Sequence, residues 1–522
     1  MRLFFSILAF SLIGLLALGA SWHVAPNGSA SSAGTQGSPF SLMWGLSSSG
    51  PVRRGDTLWI HGGTYAGTFK ASLAGTSSAP IIVRNWNGER ATIDGGNSGG
   101  TAILLIAAQY VWFWGLEVMS SDPGKISTQA TSWPTDINYG EGVMIDQGGS
   151  GGLGCKFINL VVHDTRQGFS SWKEAIGSEV YGCTVYDNGW IGSDRPHGHN
   201  LYIQNVTGGK LFADNLILRA YSHNIQAYGS SAANVDNLTF DGNVGVNGGE
   251  RNFMLGSPNV AQNPIWRNNF MYVDGAYAGS CNLYLAYSVG YTPGTSNAIV
   301  TGNDFAGGKI TLYKNAGLTW SNNLVYYTAF ADGSDPAPAN PGGITTTTRP
   351  SSNWISVRAN KYEAGRANIV VYNWQGAPTV SVDLSGVLKV GGTFRIRDAQ
   401  NYYGTPVLSG TYQGGMVSFP MGAGSLPARI GNDPRAQAHT SSSFGVFVAE
   451  GIASGSPPPP PPPLPVYVYT QAQGDSLFHA GVLSVHCPPA IHDTTTIVKT
   501  VQVPVPDTVQ VGKNTIIQRR AQ

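Results

Sequence analysis

The chain has 522 residues, too many for one compact core and enough for two or three domains. Charged residues make up 11% of it, against roughly 25% in an average globular protein, while Gly occurs 69 times and the formal net charge is +1. Such a surface of hydroxyls, amides and aromatic rings suits extracellular β-structure and sugar ligands. With no basic stripe to track a phosphate backbone, nucleic acid is excluded as the partner.

The N-terminus opens on Met1-Arg2, continues as an apolar run over 3–18 and ends in small residues around Ala17 to Ala20. This predicts a secretory signal peptide over 1–20. The run is short for a span of about 20 residues and no second apolar stretch follows, so the mature chain is expected outside the membrane, in the extracellular space, periplasm or at the cell surface. The four cysteines, Cys155, Cys183, Cys281 and Cys487, match no disulfide framework or zinc spacing and read as small buried hydrophobes.

Strands broken by Gly turns come next, in Trp22-His23-Val24-Ala25-Pro26-Asn27-Gly28, in Gly55-Asp56-Thr57-Leu58-Trp59-Ile60-His61-Gly62-Gly63-Thr64-Tyr65 and in Ala79-Pro80-Ile81-Ile82-Val83. From Cys155 to about Tyr327 a unit then recurs: an apolar residue, a small residue or Asn, and two or three alternating apolar residues. It passes through Asn159, Cys183, Asn215, Asn243, Asn269, Asn303 and Asn323 at intervals from 20 (303 to 323) to 34 (269 to 303) residues. A fixed period would indicate a propeller or horseshoe, whereas a strand unit with variable loops is what stacked β-helix coils produce. The recurring Asn is expected at one bend, its amide bonding its counterparts above and below.

A second strand aligns in the same coils without gaps, from His199, His223, Arg251 and Cys281. Period two puts Leu201, Ile225, Phe253 and Leu283 inside with Ile203, Ala227, Leu255 and Leu285. The same alternation places Asn200, Tyr202, Gln204, Asn224, Gln226, Tyr228 and Tyr284 outside. The order V-x-P-N-G, G-D-T-x-x-I-x-x-G-T-Y, A-P-I-x-V resembles the opening coils of pectate-lyase-like β-helix proteins, including the chondroitinase B and alginate lyase group, over roughly residues 21 to 330. The resemblance implies a right-handed parallel β-helix, expected over 21–335, that acts on or binds polysaccharide.

Longer alternating strands from about Ile344, such as Asn368 to Trp374 and Phe444 to Val448, predict an all-β second domain, a smaller β-sandwich over 344–450. A proline-rich linker over 451–465, with seven consecutive prolines, and a tail over 466–522 without a core pattern complete the chain.

Chemistry concentrates at Asp194-Arg195-Pro196-His197-Gly198-His199-Asn200-Leu201-Tyr202. Eliminating across a uronate needs a cation to neutralise the carboxylate, a base for the neighbouring C–H and an acid for the leaving oxygen. Arg251 or Arg195 is expected to hold the carboxylate, neutral His199 or His223 to take the proton and Tyr202 to return one. His197, Asn200, Asn224, Gln226, Tyr228 and Tyr284 are expected to bind sugar along the same face. A turn in which His199 and His223 merely bond backbone explains the same residues, and a stacking platform of Tyr and Gln fits a non-catalytic binding or adhesive protein.

The lyases that the chain resembles imply a lysine or arginine base and Ca2+; Lys173 is the available lysine. The acids Asp146, Asp164, Glu174, Asp187 and Asp194 are scattered instead of forming a D-x-D array, so no metal ligand is assigned. A hydrolase would draw its carboxylate pair from Asp187, Asp194 and Glu250. The expected protein is a monomeric, secreted polysaccharide-active β-helix, most simply a lyase of an acidic polymer.

Overall fold

The structure is a computed structural model that describes residues 19–99, 101–145, 151–274, 280–287, 294–421, 424–431, 438–440 and 442–452, with four short strands in the tail. The expected signal peptide lies almost wholly outside the described residues, as does the proline run. Among the described residues no helix is long and apolar enough to cross a membrane.

Three long parallel sheets of 11, 10 and 11 strands wind the chain into a right-handed parallel β-helix. The first runs from Ser21–Val24 to Thr319–Ser321, the second from Phe69–Ala71 to Ala329–Phe330 and the third from Gly63–Ala66 to Ile344–Thr346. Each strand is only a few residues long, so an isolated coil cannot bury its apolar face and must stack on its neighbours. Phe113 stacks on Phe157 at 5.4 Å, and Phe212, Phe240 and Trp266 continue the column at 5.3 and 5.0 Å. Cys155 and Cys183 are fully buried free thiols.

One bend is built the same way in coil after coil. Gly182, Asp214, Gly242, Asn268, Gly302 and Asn322 have φ of 65, 54, 69, 57, 66 and 55°, a left-handed conformation that Gly, Asn and Asp tolerate best. The next residue points inward, giving the series Cys183, Asn215, Asn243, Asn269, Asn303, Asn323. Each Asn amide donates to the next Asn carbonyl oxygen, at 2.8 Å from Asn215 to Asn243 and 3.0 Å from Asn243 to Asn269. The expected ladder is therefore present, and it satisfies backbone amides that the bend takes out of the sheets.

The sandwich comprises a five-stranded antiparallel sheet and a two-stranded one, from Trp354–Ala359 to Phe444–Ile452. The boundary expected at 344 is displaced: Ile344–Thr346 pairs in parallel with Leu324–Tyr326 and closes the last coil. A three-residue alternating run carries no mark of its partner, so periodicity alone could not assign it. The sandwich packs on the third sheet, with Tyr272 stacked on Phe444 at 4.4 Å and Tyr326 against Trp374 at 4.5 Å. Arg90 lies over Tyr403 at 3.7 Å, Asn159 bonds Glu363 at 2.7 Å and buried Asp187 pairs with Arg219 and Arg429 at 2.9 and 2.8 Å. Among the described residues the second sheet is left uncovered by the sandwich. In the tail, expected to lack a core, Val466–Tyr469 pairs with Thr508–Val511 and Ser484–Val485 with Val501–Gln502.

Candidate functional site

The second sheet brings the sequence-aligned strands into the expected register. His199 pairs with His223, His223 with Arg251 and Arg251 with Cys281, one coil apart each time. Tyr202 pairs with Gln226, Gln226 with Met254 and Met254 with Tyr284. Adjacent strands lie about 4.8 Å apart, so these form a column of two histidines, an arginine and a cysteine beside a row of mostly polar and aromatic residues.

Bending before Leu201 turns His199 away from the interior and onto the Tyr202 side. Its ring stacks with Tyr202 at 5.7 Å and lies 5.0 Å from the His223 ring. Arg251 Nη1 donates to His223 Nε2 at 3.0 Å, and its guanidinium carbon sits 4.9 Å from the centre of the Tyr284 ring. With Nε2 accepting, His223 carries its proton on Nδ1, which reaches Ser222 Oγ at 3.0 Å and Glu250 at 3.4 Å. The Ser222 hydroxyl also donates to Glu250.

Both imidazoles are held neutral. Burial, then Arg195, His197 and Arg251, pushes His199 down to about 3. Burial, His199 and Arg251 lower His223 as well. Buried His199 Nδ1 has no hydrogen-bond partner in the structure. Burial raises the Tyr202 phenol to about 12 and keeps its proton in place.

Other expected site residues go elsewhere. Asn200 and Asn224 are completely buried and do not face sugar: Asn200 Nδ2 donates to Asn224 Oδ1 and Asn224 Nδ2 to Asn252 Oδ1, both at 2.9 Å. They form a second asparagine ladder, because the bend interrupts the alternation that put them outside. His197 is turned onto Trp190 at 5.2 Å and bonds Asp194 at 2.8 Å, inside a short hairpin. Lys173 lies past the opposite end of the strands, since Ser171 already pairs with Ile203; it contacts Ala232 carbonyl and Glu174 at 3.2 Å each. The structure does not bring it to the histidines. Arg195 hangs over the column, 4.0 Å from Glu250, while Gln226, Tyr228 and Tyr284 are half-buried on the outer side. Sequence reasoning missed Gln167, whose side chain accepts the His199 backbone N–H at 3.0 Å.

The acids considered for Ca2+ do not assemble. Asp164 bonds His163 at 2.7 Å, Asp187 is paired with two arginines, Asp194 with His197 and Glu174 with Lys173. Asp146 lies outside the described residues. Among the described residues no three His, Cys, Asp or Glu side chains come together as a metal cage, so these residues do not fit the ion.

The architecture is a right-handed parallel β-helix, the fold that the opening coils implied. No family model matches the chain. A stretch of 144 residues is 29% identical to pectate lyase PEL9 of Emericella nidulans, covering 24% of this chain and 34% of that protein, so the similarity spans about a third of the relative's length. Among solved structures, pectate lyase Pel9A is similar with a TM-score of 0.47 at 15% identity, over 64% of this chain and 84% of that one. The surface adhesin PfbA of Streptococcus pneumoniae is similar with a TM-score of 0.33 at 11% identity, over 56% and 74% of the two chains.

Proposed function

We propose that this chain is a secreted polysaccharide lyase that cleaves a uronate polymer by β-elimination on the uncovered sheet. The observation that carries the reading is the column His199–His223–Arg251 standing beside Tyr202 and Tyr284. Arg251, fixed by His223 on one side and the Tyr284 ring on the other, receives the uronate carboxylate. Neutralising that carboxylate makes the adjacent C–H more acidic. Burial is the first cause of the lowered His199 pKa and positive charge the second; the substrate carboxylate offsets the second, so the imidazole becomes a better base as substrate arrives. His199 takes the proton and the Tyr202 hydroxyl returns one to the leaving glycosidic oxygen. Glu250 and Ser222 hold the His223 tautomer that orients Arg251.

Local similarity to a pectate lyase supports the class of substrate, and the apolar run over 3–18 supports export. A binding-only role is the second reading, favoured by the near-complete burial of His199 and His223 at 8% and 4% exposure. Incubation with polygalacturonate, alginate and glycosaminoglycans decides between them: elimination raises ultraviolet absorbance as unsaturated uronate ends accumulate. Arg251→Ala is expected to lower kcat/KM at least a hundredfold on the responsive polymer. Reducing ends without the absorbance would make the protein a hydrolase, and binding with neither would make it an adhesive or storage protein.

A further inference from the structure

The uncovered sheet continues past the candidate column toward the N-terminus, and there it opens into a cleft of about 670 Å³. Row by row, Tyr202 pairs with Ser170, Ser170 with Met144, Met144 with Leu105 and Leu105 with Lys70. Met144, Leu105 and Lys70 form part of the cleft floor, with Trp172 and Trp133 also in its lining. Trp133 is a large aromatic side chain left 59% exposed on a loop. Trp172 faces both places: it lines the cleft and meets Tyr202 edge-on at 5.4 Å.

Glu141 also lines this cleft. It is 1% exposed, and neither carboxylate oxygen is met in good hydrogen-bond geometry, the Ser170 hydroxyl lying near but not aligned. A buried carboxyl in that state costs the fold free energy, a cost that a ligand bonding it would offset. Burial raises its pKa against the pull of Ser170 and Arg166, so the group is biased toward the protonated form, which both donates and accepts. Lys70 is exposed at the far edge of the same cleft.

We propose that the cleft is a distal sugar subsite, in which an acidic pyranose packs on Trp133 and Trp172, hydrogen-bonds Glu141 through its hydroxyls and pairs its carboxylate with Lys70. Aromatic walls with a carboxyl group, several hydroxyl side chains and one cation match what a uronic sugar offers: C–H faces, hydroxyls and a carboxylate. The subsite lies along the helix axis from Arg251, so a single polymer strand spans both. Its preference for an acidic sugar rests on the uronate reading above; its existence does not.

The test is calorimetric titration of the full chain with trigalacturonate, trimannuronate and cellotriose, with thermal unfolding in parallel. Trp133→Ala is expected to weaken acidic trisaccharide binding roughly tenfold. Lys70→Ala is expected to remove the preference for acidic sugars over cellotriose. Glu141→Leu is expected to weaken binding while leaving Tm unchanged or higher, the signature of a group kept for a ligand and not for the fold. Arg251→Ala serves as the separate arm: loss of turnover there with trisaccharide binding retained keeps the two sites distinct. If wild type binds without turning over any polymer, the lyase reading fails and the subsite stands. Equal affinity of Trp133→Ala and wild type, a large fall in Tm for Glu141→Leu, or no trisaccharide binding by wild type overturns the subsite.

Discussion

Asn224 separates a fold role from a binding role, and the structure puts a number on the difference. Its Oδ1 accepts from Asn200 Nδ2 at 2.9 Å and from Ala220 N–H at 3.0 Å, and its Nδ2 donates to the Val246 carbonyl and Asn252 Oδ1 at 2.9 Å each. Asn224→Ala deletes all four bonds inside a fully buried bend. Val246 keeps its bond from Arg219 N–H and Asn252 keeps Gly248 N–H, but Ala220 N–H loses its partner. At about 1 kcal/mol for each bond, plus 1–3 kcal/mol for an orphaned buried donor, the loss is roughly 5–7 kcal/mol. Gln226→Ala, two residues on but facing outward, should stay within about 0.5 kcal/mol. Urea unfolding followed by circular dichroism compares the two. Native-state hydrogen exchange over 200–252 then shows whether the damage is local, as expected where each coil touches only its neighbours. Equal stability of the two variants, with sugar binding lost only in Asn224→Ala, would return Asn224 to the binding face and refute the ladder argument.

Two further outcomes follow from buried acids beneath the sandwich. Burial raises Asp304 to about 7, above its unfolded value near 4, so the folded state holds its proton more tightly. Stability from this group is complete below about pH 4 and lost as pH rises to about 7, by up to about 4 kcal/mol; Asp304→Asn should remove that slope, and superimposable pH–stability curves would contradict it. Asp187→Ala leaves buried Arg219 and nearby Arg429 without their shared carboxylate, at a cost of about 3–5 kcal/mol, read as a lower denaturation midpoint and faster proteolysis between sandwich and solenoid.

Much of this was legible in the residues. The column His199, His223, Arg251, Cys281 emerged by aligning four strands without gaps, because parallel coils in register repeat their chemistry at the same position. The first asparagine ladder was legible for the same reason. The second was written just as plainly, as an Asn following each member of that column, but strict alternation assigned Asn200 and Asn224 to the outside. Period two holds only while the backbone stays extended, and at this bend two successive positions leave the rule. Glu141 sits in Gly140-Glu141-Gly142, with no apolar pattern around it; its significance arises only from the stacking of coils. Lys173 was drawn in by its coil, yet falls beyond the strand's far end.

The sandwich has a consequence for how this molecule comes apart. A solenoid whose coils hold only their neighbours frays from its tips, one rung after another. Here a second domain touches the rod at Arg90, Asn159, Tyr272 and Tyr326, and so acts as a splint along much of its length. Fraying that starts at either tip must stop where the splint begins until the whole brace lifts away. The second sheet is thus braced by a domain packed on other faces of the same coils.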